Sequence, residues 1–149
     1  MLKVQTASSN TPDAALAGKE CAQKIKHALH DPKLVFVYSG VSYNQQALLK
    51  AIGEELPGVP LIGNTSFSGV VTQDGFVTGE KGYVGMMALS GTDLTVGTAG
   101  MAKSGTARET GRNLAKQALA AAGKQEAPAY MYMVAPPGEE EYYLKGVSD

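Results

Sequence analysis

A single cysteine in 149 residues excludes an internal disulfide and any cysteine-based metal site within one chain. Charge of one sign is equally scarce. Thirteen Lys and Arg stand against 14 Asp and Glu, a net charge of −1, so nothing suggests the concentrated basic patch that nucleic acid or an anionic membrane would need. Lys19, Lys24 and Lys26 read as an ordinary solvated helix face. Long hydrophobic runs are missing as well, since Leu34 to Val37 falls far short of the ~20 residues of a membrane span. No basic stretch followed by an apolar one opens the chain, so no signal peptide is expected and a cytoplasmic location is. What the chain does have is 44% hydrophobic residues, enough for one compact domain with a real core. Its 18 glycines and seven prolines mark turns, because apolar runs recur between them.

Leu2 to Ala7 reads as a first strand. Thr11-Pro12-Asp13 supplies a helix start with Thr11 as N-cap. Ala14, Ala15, Gly18, Cys21, Ala22, Ile25, Ala28 and Leu29 then form one apolar stripe at helical spacing. Leu34 to Tyr38 is a continuous apolar run, the mark of a strand covered on both faces. A second helix follows from about Tyr43 to Leu56, stopped by Pro57-Gly58, and Val59 to Ile62 is a third strand. Strand, helix, strand, helix, strand implies right-handed parallel crossovers. The pattern then changes. Gly69 to Thr72 and Phe76 to Thr78 flank the turn signal Gln73-Asp74-Gly75. Tyr83 to Leu89 and Leu94 to Ala99 flank Ser90-Gly91-Thr92-Asp93, so an antiparallel meander is expected. A third helix from about Ser104 to Ala122, a strand from Ala129 to Val134 and a helical start at Gly138 to Lys145 complete the order. The fold class is α/β with a mixed sheet.

The two ends of the chain resemble each other. Val4-Gln5-Thr6-Ala7 and Val96-Gly97-Thr98-Ala99 each precede a helix, then Pro32 or Pro128, then an apolar strand. One shift carries Ala22 onto Ala118, Pro32 onto Pro128 and Leu48 onto Leu144. The identities are few enough for chance to produce them, but the matching order of elements favours an internal duplication. The second copy would then stop at Val147-Ser148-Asp149, before its own third strand, so a single domain over residues 1–149, truncated within a second repeat, is expected.

Gly63-Asn64-Thr65-Ser66-Phe67-Ser68-Gly69, after the third strand, carries the functional expectation. Strands that end in glycines and small polar residues leave backbone N–H groups and hydroxyls at a crevice, where ligands of open α/β sheets bind. Gly63, Asn64, Thr65 and Ser66 are the expected contacts, with Ser39, Gly40, Tyr43 and Asn44 approaching from the neighbouring strand end. Turn chemistry alone also explains such residues.

Other chemistry is thin. His27 and His30 share a helix face, but both follow the polar side and read as solvated. Cys21 lies in the apolar stripe and reads as a buried, inert thiol. Ser66 lacks the Gly-x-Ser-x-Gly elbow, and the glycine-rich loop lacks the phosphate-cradle pattern. Glu139-Glu140-Glu141 reads as an acidic first helical turn. No catalytic residue, metal ligand or cofactor is expected.

Pro32-Lys33-Leu34-Val35-Phe36-Val37-Tyr38-Ser39, the following helix, Pro57-Gly58-Val59-Pro60-Leu61-Ile62-Gly63-Asn64-Thr65-Ser66, Gly69 and the hairpins together resemble the FIST N-terminal domain. The resemblance covers nearly the whole chain. It implies a non-catalytic, intracellular sensory domain of a bacterial signal-transduction protein that binds a small polar ligand such as an amino acid. It also implies an attached or associated signalling module as partner and a continuation into a C-terminal FIST domain; the charge balance leaves neither nucleic acid nor membrane as an expected partner. Haem is the alternative cofactor the resemblance leaves open. Two rival functions remain. A small-molecule hydrolase predicts a titratable cluster near the loop, and a protein-interaction scaffold predicts an exposed apolar edge at the Phe67 to Thr78 hairpin.

Overall fold

A computed structural model describes all of residues 1–149. The chain is mixed α/β and divides into two compact units, residues 1–94 and residues 95–149.

The first unit contains strand β1 (Lys3–Ser9), helix α1 (Ala14–Ala28), β2 (Pro32–Gly40), α2 (Gln45–Glu55), β3 (Leu61–Ser66), β4 (Val70–Thr72), β5 (Gly75–Val77) and β6 (Val84–Ser90). Its main sheet has the order β1-β6-β2-β3. β2 and β3 are parallel, as the crossover pattern predicts. β6 runs antiparallel to both of its neighbours and so separates β1 from β2. β4 and β5 form the expected hairpin, as a separate two-stranded sheet.

The apolar stripes fix which faces are buried. Ala14, Ala17, Cys21, Ala22 and Ile25 of α1 share one core with Leu48 and Ile52 of α2. Strand residues of a single parity complete it: Ala7, Val35, Val37, Val84, Met86 and Ala88. Both helices therefore cover the same face of the sheet. Gly18 lets them approach, for a Cβ there would lie 2.8 Å from Leu48 O. Burial of Ile25, Leu48 and Ile52 at 0% exposure contributes about 1.5–3 kcal/mol for each side chain.

The second unit contains α3 (Ala107–Ala121) and α4 (Glu140–Ser148), packed on one another. Thr106 begins α3 with a capping box, its hydroxyl accepting from Glu109 N while Glu109 accepts from Thr106 N. Two glycines bring the helices together: a Cβ on Gly111 would lie 2.2 Å from Tyr143 O, and one on Gly146 1.9 Å from Arg108 O.

Several local expectations are corrected. Asp13, not Thr11, caps α1 by accepting from Leu16 N at 2.8 Å. The Thr11 hydroxyl donates instead to Glu20, which also accepts from Ser9. The third strand begins two residues later than Val59 and continues through Ser66, so Gly63 to Ser66 is strand and not loop. Leu94 to Ala99 and Ala129 to Val134 lie outside any strand. Their alternating residues suit a strand, but a strand exists through its ladder. β6 spends both edges on β1 and β2, leaving none for Leu94 to Ala99 to complete a meander.

Candidate functional site at the ends of β2 and β3

The parallel register brings the predicted residues to one place. Tyr38 lies beside Asn64, Ser39 beside Thr65 and Gly40 beside Ser66. What the side chains do there is less open than the sequence suggests.

Ser39 is 3% exposed, and its hydroxyl donates to Gln45 Oε1 at 2.7 Å. The Gln45 amide in turn donates to Gly40 O at 2.9 Å and to Tyr43 O at 3.2 Å. Asn44 caps α2 by accepting from Ala47 N. Tyr43 is buried, its ring lying where a side chain on Gly82 would be, and its hydroxyl donates to Thr11 O. Burial pushes its pKa up, with Cys21, Glu20 and Asp13 adding smaller effects in the same direction. Ser66 Oγ donates to Gly69 O at 2.6 Å.

A second tyrosine closes the same end. The Tyr83 ring packs against Gly40, 3.0 Å from the place of a Cβ there. Its hydroxyl donates to Ser66 O at 2.7 Å, while Gly40 N donates to Tyr83 O at 2.8 Å. Tyr83 thus straps the tip of β2 to the tip of β3. Gly63 is needed by the ladder itself, since a Cβ would fall 1.8 Å from Val37 O.

Of the eight predicted contacts, Asn44, Asn64 and Thr65 are exposed; Asn44 is committed to the α2 cap, and Asn64 and Thr65 lie on the strand end itself. Asn64 Nδ2 donates to Thr65 O at 2.8 Å. Sequence reasoning missed Gln45, Gly82 and Tyr83. Gln45 follows directly on the N-cap Asn44, a position from which a side chain can turn back toward the preceding loop. Nothing in the apolar periodicity marks it. α1 and α2 cover the same face of the sheet, so the ends of β2 and β3 are not the switch-point crevice of a doubly wound sheet.

Elsewhere, His27 Nδ1 meets Gln23 O at 2.7 Å and His30 is exposed. No three His, Cys, Asp or Glu side chains come together as metal ligands. Cys21 is fully buried, and burial pushes its thiol up to about 12. In the second unit an open cleft runs along α3, lined by Ser104, Gly105, Glu109, Arg112, Asn113 and Lys116. Its Glu109 is held by the capping box and its Arg112 by Asp149. No helix is long and apolar enough to cross a membrane.

The FIST N domain model matches residues 33–149, from β2 through α4, and the chain belongs to this family. FIST domains are sensory, non-catalytic domains of signal-transduction proteins. No curated protein matches the chain.

Proposed function

We propose that the chain is the ligand-sensing part of an intracellular signalling protein, taking a small polar molecule such as an amino acid at the paired ends of β2 and β3. Its two units are the two repeats of one FIST N domain, and an attached output module receives the signal. One observation carries the reading: Asn64 and Thr65 stand exposed beside a strand end where Gln45 holds the Ser39 hydroxyl and Gly40 O, and Tyr83 holds Ser66 O. Preoriented neutral dipoles hold a carboxylate or ammonium group without a change of protonation.

Thermal unfolding against a panel of amino acids and small metabolites tests it. A ligand that binds the folded state alone stabilises it by roughly 2.7 kcal/mol at a hundredfold excess over its Kd. A selective shift that disappears in Asn64→Ala and Thr65→Ala supports the site, since both side chains are exposed and their loss spares the core. No shift across the panel rejects it.

A second reading has its own observation. Phe67, Val71 and Phe76 are 92%, 83% and 60% exposed along the β3–β4 turn and the hairpin. Exposed apolar groups of this size mark protein contacts. That reading predicts no thermal shift with small molecules.

A further inference from the structure

β3 ends the main sheet, and its backbone can be accounted for group by group. Val35 N donates to Pro60 O at 2.9 Å, and Leu61, Gly63 and Thr65 lie beside Val35, Val37 and Ser39. In a parallel ladder each such β2 residue bonds the two residues flanking its neighbour. Pro60, Ile62, Asn64 and Ser66 therefore face β2. Leu61, Gly63 and Thr65 turn their N–H and C=O groups outward. Within residues 1–94, Thr65 O accepts from the Asn64 side chain, and β3 has no second neighbouring strand.

Proteins blunt such edges with charge, proline or a bulge. This edge has none of these within Leu61–Ser66: its register with β2 runs without a shift, and no charged residue occurs from Leu56 to Gln73.

We propose that β3 pairs antiparallel with the β3 of a second copy of this chain, about a two-fold axis at Gly63. The register that engages every outward group sets Gly63 against its own symmetry mate and Leu61 against the second copy's Thr65. Glycine on the axis leaves no side chains opposed at the central hydrogen-bonded pair. The same register brings Phe67 level with the half-buried Val59 of the second copy, giving an exposed ring an apolar neighbour. Two uncharged stretches meet without like charges opposed. Such a pairing is self-complementary and closes at two copies.

Sedimentation of the whole chain over a wide concentration range tests this. The expected mass rises from 15.5 kDa toward twice that value. Thr65→Pro removes an N–H that the chain's own ladder does not use, and proline is tolerated at strand edges. It weakens self-association roughly ten- to a hundredfold, because a symmetric pair loses two hydrogen bonds. The thermal midpoint of the dilute variant stays near that of the parent. Amide exchange adds a readout that folding alone does not move: Leu61, Gly63 and Thr65 gain protection as concentration rises. A monomer at every concentration, or a dimer undiminished in Thr65→Pro and without that protection, overturns the proposal.

Discussion

The two units each contain a helix pair joined by an apolar segment, yet the first unit includes a sheet and the second contains no strand. In the first unit the segment between α1 and α2 is β2, held by β6 on one side and β3 on the other. In the second, the segment between α3 and α4 contains Ala129 to Val134, which is in no strand. Alternating tyrosines, methionines and valine suit a strand as well as Leu34 to Tyr38 does. Intrinsic preference was never the deciding quantity; neighbours were. The energetics differ accordingly. The first helix pair rests on a shared apolar core, whereas the second buries Ala107, Thr110, Gly111, Tyr143 and Gly146 and adds ion pairs at its rim.

The largest break in that comparison comes from the core. Leu48→Ala in the first unit costs about 2–5 kcal/mol, read from urea unfolding, because the fully buried side chain leaves a cavity. An equal loss from Leu144→Ala, which is exposed, would contradict the contrast drawn here. Next is Gly111→Ala, whose new methyl group meets Tyr143 O. Forcing α3 and α4 apart costs about 1–3 kcal/mol. Faster amide exchange confined to residues 107–148 is the expected signature.

Cys21 sharpens the comparison by reporting on the first unit alone. As the chain's one thiol, buried and held protonated, it reacts with thiol reagents at neutral pH only when α1 leaves the core. Labelling at a rate set by unfolding is expected, and rapid labelling of the native chain would show that α1 opens locally.

The smallest effect belongs to the rim of the second unit. Asp149 accepts from Arg108 Nε and Nη2 and from Arg112 Nη2, which hold its carboxyl well below the usual carboxylate range. The folded value lies below the unfolded one. Its stabilisation is therefore complete above about pH 4 and is lost as pH falls through the depressed value. Asp149→Asn should speed exchange at the last turn of α4, most in low salt, and remove that pH dependence. Unchanged exchange in the variant would leave the helix contact of Gly146 as the sole anchor.

What was legible in the sequence follows the range of each interaction. The helices declared themselves because Gly18, Cys21, Ala22 and Ile25, or Leu48 and Ile52, repeat within a few residues. The hairpin β4–β5 was legible from Gln73-Asp74-Gly75. Pairing across the sheet was not, since no local pattern says that β6 inserts between β1 and β2. The strand-end residues were brought together as the order of elements implied. Their side-chain commitments depended on Gln45, Gly82 and Tyr83, which carry no periodic signal. Gly63 shows how the two levels diverge: a glycine that suggested a loop is in fact required by the approach of Val37.

The strap formed by Tyr83, with Tyr43 beside it, has an optical consequence. The chain has no tryptophan and seven tyrosines, of which Tyr43, Tyr83 and Tyr143 are at most 5% exposed. The Tyr83 hydroxyl is held on Ser66 O at the tip of β3, and that of Tyr43 on Thr11 O between β1 and α1. Any event that pulls β2 and β3 apart there must change the absorption and emission of the Tyr83 ring. The protein thus carries its own chromophore at the tips of β2 and β3.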